Sequence, residues 1–133
     1  MTWEGTRAVL ATPAGPLALR SPLIGAHNVS NMMAAVAGGL LLSVPPATIA
    51  VGIAATVAIP GRMESIPNAL GLHVFVDYAH TPDGMDRVLS TLRGLTGGRL
   101  VTVFGCGGNR DRGKRPAMGR VAADAVPASI QHL

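Results

Sequence analysis

The spacing of apolar and polar residues changes three times along this chain. From residue 6 to 23 the two alternate about Pro13-Ala14-Gly15-Pro16, with Arg7-Ala8-Val9-Leu10 before the turn and Leu17-Ala18-Leu19-Arg20 after it. Two short alternating runs about a Pro/Gly turn predict a β-hairpin. Residues 28–61 then carry no charged side chain. Asn28 or Ser30 is the expected cap of a helix running to about Ser43. Pro45 and Pro46 are expected to end it, and Thr48 to open a second helix to about Val57. Pro60-Gly61-Arg62 breaks the pattern, and a joint between two partial domains is expected there.

Beyond the joint the rhythm becomes strand, helix, strand, helix. Leu72-His73-Val74-Phe75-Val76-Asp77 reads as a strand ending on a carboxylate. Pro82–Leu95 reads as a helix, because Met85, Val88, Leu89 and Leu92 recur at helical spacing. Gly97-Gly98 closes it, Arg99–Phe104 is a second strand, and Pro116 to about Asp124 a second helix. Short Gly-rich turns between such elements predict a parallel α/β unit. Ligands collect at the carboxyl ends of strands in such sheets, where Asp77 and the loop after Phe104 both fall.

The long uncharged stretch raises the question of a membrane span. Its two apolar halves, Met32–Val44 and Ala47–Ile59, are 13 residues each, against about 20 needed to cross a bilayer. They predict two core helices. Met1–Gly5 carries Glu4 and no basic-then-apolar leader pattern, so a cytoplasmic protein is expected. A single cysteine, Cys106, excludes an intrachain disulfide framework. Cys106 has cations nearby in sequence but no histidine to activate it as a nucleophile.

Net charge is +4, and its excess sits in one place: residues 109–120 hold Arg110, Arg112, Lys114, Arg115 and Arg120 against Asp111 alone. Nucleic acid is not the expected partner. The cations form a loop rather than a stripe, and Trp3, Phe75, Tyr78 and Phe104 are few and scattered. The loop itself, Val103-Phe104-Gly105-Cys106-Gly107-Gly108-Asn109-Arg110-Asp111-Arg112-Gly113-Lys114-Arg115-Pro116, follows a strand and precedes a helix. Glycines there let backbone N–H groups approach an anion, and guanidiniums offer paired charge-assisted bonds. Gly108–Lys114 nearly matches a phosphate-cradling loop, but Arg115 stands where a hydroxyl would hold Mg²⁺. The dinucleotide fingerprint fails too, since Arg110 occupies its third glycine position.

Three further clusters complete the set. His27-Asn28-x-x-Asn31 sets two amides one turn apart, Pro60-Gly61-Arg62-Met63-Glu64 forms the joint, and Asp77-Tyr78-Ala79-His80-Thr81-Pro82 leads from strand to helix. In this order, HNxxN, PGRME, VDYAHTPDG and VFGCGGNRDRGKRPxMG resemble the Mur ligases, and within them the branch that adds the third residue of the peptidoglycan stem peptide. The resemblance covers about residues 20–122. It implies an α/β fold: residues 1–60 the end of a central ATPase domain (hairpin plus helices), 61–70 an interdomain joint, and 71–133 the start of a Rossmann-like parallel C-terminal domain.

The activity implied is an ATP-driven amide bond, in which a substrate carboxylate is phosphorylated and the acyl phosphate is attacked by an amine. The implied substrates are a UDP-N-acetylmuramoyl dipeptide and a diamino acid, diaminopimelate or lysine; the implied cofactors are ATP and Mg²⁺, with no metal ligand in this chain. By the same resemblance Asn28 and Asn31 border the adenine, Asp77 binds the ribose, and Tyr78 and His80 lie beside the nucleoside. Arg62 is the joint arginine that reaches the phosphates once the domains close, and Lys114 lies near the transferring phosphoryl group; both count as catalytic. Arg110 grips a carboxylate of the incoming amino acid. Asn109 stands where the family has Asp. The family's P-loop, Mg²⁺ ligands and carbamylated lysine precede anything present, and the tail Ala125–Leu133 departs from its DNPR-type motif. A fragment without ligase activity of its own is therefore expected, from a truncated or frame-shifted reading. The alternatives are an inert nucleotide-binding remnant, or another ligase of the superfamily such as folylpolyglutamate synthase.

Overall fold

A computed structural model describes residues 1–107, 111–126 and 130–132. The chain divides into two compact units, Met1–Asp77 and Tyr78–Leu133.

The first unit opens with the expected hairpin. Strands β1 (Thr6–Thr12) and β2 (Gly15–Ser21) pair antiparallel, with Thr12 opposite Gly15. Gly15 takes φ 104°, which a side chain would disfavour. The Thr12 hydroxyl, donating to the Gly15 carbonyl at 2.6 Å, ties the turn. Register places Ala8 and Leu10 opposite Leu19 and Leu17 on one face, and Arg7 opposite Arg20 on the other. Leu19 packs into a core with Met32 and Val36 of α1 (Ala26–Leu41) and Ile49 and Ile53 of α2 (Pro46–Ala55). Each helix contributes an i, i+4 pair, the spacing that lines one helical face.

The helix ends differ from expectation. The N-cap of α1 is Gly25, not Asn28 or Ser30: its φ of 103° and ψ of 139° start the helix one turn earlier. Asn28 lies inside the helix with its amide turned back to the Ile24 carbonyl at 2.8 Å. The Ser30 hydroxyl donates to Ala26 O at 3.3 Å instead of capping. At the other end, α1 stops before the prolines. Ser43 adopts φ 59°. The Ser43 and Val44 N–H groups then donate to Leu40 and Gly39 carbonyls, both at 2.9 Å, which closes the helix by backbone bonds. Pro45 and Pro46 open α2, as cap and first helical residue, in place of Thr48.

The strand expected over Leu72–Asp77 is reduced to β4 (Phe75–Val76), which pairs antiparallel with β3 (Glu64–Ser65). Locality decides this pairing, because a short loop closes at lower entropic cost than a long crossover. Asn68 stitches that loop: its amide donates to Leu72 O at 2.8 Å, and its carbonyl accepts the Leu70 and Leu72 N–H groups.

The second unit begins with α3 (Pro82–Leu95), at the expected bounds. The Thr81 hydroxyl caps it by accepting the Gly84 N–H at 3.2 Å, and Pro82 takes the first helical position. β5 (Thr102–Phe104) is followed by α4 (Lys114–Ala125) and β6 (Ile130–His132), and the two strands pair parallel. The parallel pair is thus β5 with β6, rather than Leu72–Asp77 with Arg99–Phe104. Met85 and Leu89 of α3 pack on Met118 and Ala122 of α4 and on Val126. Arg93 braces the far end by donating to the Gly98 and Ala125 carbonyls. Among the described residues no helix is long and apolar enough to cross a membrane.

Candidate functional site

The candidate residues fall in both units. In the first, the HNxxN cluster occupies the opening turn of α1. Asn28 is fully enclosed, at 0% exposure, and its carbonyl accepts the Asn31 amide at 3.4 Å. Asn31 is exposed. The two amides therefore act in series, with the buried one holding the outer one. The glycine before them is required twice: by φ 103° and by the His27 ring, which fills the space a β-carbon would need.

The PGRME segment is a tight double bend. Gly61 at φ 66° and Met63 at φ 49° are both left-handed, the latter uncommon for a residue with a side chain. Two carboxylates hold the bend. Glu64 accepts the Gly61 N–H at 2.9 Å, and Asp77 accepts the Met63 N–H at 2.8 Å. Met63 is buried at 3% exposure while Arg62 between them is exposed. The bend thus anchors its methionine and presents its arginine. Sequence reasoning missed both braces. The acid three residues after Gly61 was the available signal for one; Asp77 is too distant in sequence to have given any.

In the second unit the loop before α3 and the loop before α4 come together. Lys114 donates from Nζ to the His80 carbonyl at 2.9 Å. His80 Nδ1 lies 3.1 Å from the Tyr78 carbonyl. A carbonyl only accepts, so that nitrogen carries a proton. The Tyr78 and His80 rings meet tilted, centroids 5.3 Å apart, with Tyr78 70% exposed. Lys114 is the first residue of α4, whose N-cap, Gly113, offers no side-chain acceptor. Asp111 Oδ1 accepts the Lys114 N–H at 3.3 Å, a brace that the D-x-x-K spacing foreshadows. Arg112 and Arg115 flank this end, both exposed. Although Asp111 takes its first N–H, a helix start with a lysine on its first turn and cations beside it favours a multiply charged anion such as a phosphate chain.

Arg110, together with Gly108 and Asn109, lies outside the described residues. Cys106 is half-buried with Sγ 3.5 Å from the Met118 sulfur, a packing contact. Among the described residues no three of His, Cys, Asp and Glu gather as metal ligands would. A cleft of about 230 Å³ at the open end of the hairpin, lined by Glu4, Arg7 and Arg20 among others, contains none of the motif residues.

The family model described as Mur ligase, glutamate ligase domain, matches residues 61–133. The matched range takes in the tail beyond Asp124. The UDP-N-acetylmuramoyl-L-alanyl-D-glutamate--2,6-diaminopimelate ligase of Geobacter metallireducens is 48% identical over 127 residues, which are 96% of this chain and 25% of that protein. A solved structure of a ligase of the same name aligns at TM-score 0.64 and 36% identity, over 97% of this chain and 26% of the other. The folylpolyglutamate synthetase from Lactobacillus casei aligns at TM-score 0.77 but 23% identity, over 98% and 32% of the two chains, a likeness of fold alone. This chain spans about a quarter of the length of the curated relatives it matches.

Proposed function

Since this chain belongs to the Mur ligase family, we propose that it works as part of an ATP-dependent ligase joining diaminopimelate to UDP-N-acetylmuramoyl-L-alanyl-D-glutamate in the cytoplasm. The relatives named for that reaction support it at 48% identity, whereas the folylpolyglutamate synthetase shares the fold at 23%. In this reading residues 1–60 complete the ATPase domain, 61–70 form the joint, and 71–133 begin the C-terminal domain.

The observation that carries the reading is the junction of Lys114 with the His80 carbonyl. It joins the loop proposed for the nucleoside to the one proposed for the phosphates. ATP, when bound, supplies the phosphoryl group that turns the acceptor carboxylate into an acyl phosphate. The residues present fit its phosphates, through the cationic start of α4 and Lys114. Among the described residues no group of carboxylates and histidines is built to hold Mg²⁺, whose ligands would come from elsewhere.

Each side chain then has a task. Asn31, held by Asn28, faces the adenine, and Asp77 the ribose. Tyr78 and His80 lie beside the nucleoside. Lys114 and Arg62 offset negative charge as carboxylate and phosphoryl oxygens crowd together, the electrostatic work that dominates such reactions. Arg110 receives a carboxylate of the incoming diamino acid, leaving its amine to attack. The attack expels inorganic phosphate and forms the amide.

The test is a graft. The chain replaces the matching segment of the Geobacter metallireducens relative, and phosphate release is followed with each substrate omitted in turn. Release that requires both the UDP-linked dipeptide and diaminopimelate supports the reading. A folded graft that binds the dipeptide but releases no phosphate on addition of diaminopimelate refutes it.

A further inference from the structure

The sequence offered no role for Trp3, the chain's single tryptophan, yet it is the most engaged aromatic residue of the first unit. Its ring stacks on His73 with centroids 4.1 Å apart and planes 6° from parallel, and on Phe75 at 5.9 Å and 18°. His73 and Phe75 are alternate residues of an extended segment, so both present their rings on one face. Two residues on, Asp77 accepts the Met63 N–H.

Trp3 is itself held from the other side. Thr2 and Gly5 exchange backbone bonds at 3.0 and 3.1 Å, making a closed turn. Gly5 takes φ 127° and sits so close to β2 that a β-carbon there would overlap the Ser21 carbonyl. The Met1 sulfur accepts the Gly25 N–H at 3.1 Å, at the residue that caps α1. The turn therefore touches the start of the helix bearing Asn28 and Asn31, and through Trp3 the strand that ends on Asp77.

We propose that Trp3 is a positioning residue for nucleoside binding: the Met1–Gly5 turn is a strut that fixes the Asn28–Asn31 pair relative to Asp77. The inference rests on the nucleoside role given to those residues under the proposed function. Stacked rings suit a strut because their contact has a defined geometry. Small misplacements of binding groups are costly.

The test uses the intact chain, with ADP and inorganic tripolyphosphate as separate probes in saturation-transfer NMR. Trp3→Ala should weaken ADP roughly 3- to 10-fold, the scale of a lost aromatic pair, and leave tripolyphosphate unchanged. Trp3→Phe, which keeps a stacking ring, should restore ADP affinity to within about twofold. ADP, but not tripolyphosphate, should also change Trp3 fluorescence. If Trp3→Ala does not fold by circular dichroism, His73→Ala removes the other half of the stack at an exposed residue and decides the matter.

Asn31→Ala and Asp77→Ala serve as controls. If both weaken ADP while Trp3→Ala and His73→Ala do not, the strut is wrong and the nucleoside reading stands. If the parent chain fails to bind ADP, or the controls change nothing, the nucleoside reading fails and takes the strut with it. Equal loss of ADP and tripolyphosphate in Trp3→Ala marks general damage and overturns the strut.

Discussion

Replacing Asn28 with alanine should unfold the first unit far more readily than a single polar substitution on a helix usually does. The side chain has 0% exposure, and it gives its amide to the Ile24 carbonyl at 2.8 Å. Alanine removes that donor where water does not reach, and an unsatisfied buried carbonyl costs about 1–3 kcal/mol. The missing side-chain volume adds to this, so about 2–3 kcal/mol is expected, or roughly 10–20 °C in midpoint for a unit of this size. Asn31→Ala, one turn away and exposed, should stay within about 0.5 kcal/mol.

Asn28→Asp sharpens the argument through its pH dependence. The introduced carboxylate would be buried, and loss of hydration raises its folded pKa above the unfolded value of about 3.9. The folded state then binds the extra proton more tightly. Stability is greatest below about pH 4 and falls as pH rises through the folded pKa. Urea titration followed by Trp3 fluorescence reads this unit directly, since Trp3 belongs to it. An Asn28→Ala midpoint indistinguishable from the parent's would refute the reasoning, as would an Asn28→Asp protein equally stable at pH 4 and pH 7.

Other expectations follow from single contacts. Gly5→Ala, at φ 127° against the Ser21 carbonyl, should cost more than the roughly 1–3 kcal/mol of ordinary overpacking and be visible as loss of the cooperative thermal transition. Met118→Ala empties a site at 1% exposure and should lower the stability of the second unit by about 2–5 kcal/mol, read by amide exchange along α3 and α4. Lys114→Ala should weaken tripolyphosphate roughly 10- to 150-fold by loss of a charge-assisted bond, measured by NMR titration. In the grafted ligase, Arg110→Ala should raise the Michaelis constant for diaminopimelate and leave that for ATP unchanged, by steady-state kinetics with each varied in turn.

Periodicity made the hairpin, α3 and the βα run around β5 legible, because those elements declare themselves by which residues they bury. Helix ends were less legible. Ser43 closes α1 by taking a left-handed conformation that its residue type does not announce, and Gly25 outcompetes Asn28 as a cap because Asn28 is drawn inward. Pairing was not legible at all. Nothing local in Leu72–Asp77 says that it meets Glu64–Ser65 through a loop tied by Asn68. The motifs named the site residues but not their arrangement. Asn28 and Asn31 look equivalent in sequence, yet one is enclosed and the other faces outward. Trp3 and Phe75 look scattered, yet they stack.

Strand β5 has two unlike faces. Thr102 and Phe104 are half-buried, whereas Val101 and Val103 are 47% and 57% exposed. A parallel ladder is ordinarily covered on both sides, and an open apolar strand face is a surface on which chains associate. Arg99, just ahead of the run, is the nearest gatekeeper charge. Solubility can therefore be adjusted apart from the motif residues: Val103→Thr keeps the strand's β-branched shape while making that face wettable. Val103 is none of the residues assigned to nucleotide or amino acid, which makes it the first change to try when the chain is to be handled at high concentration.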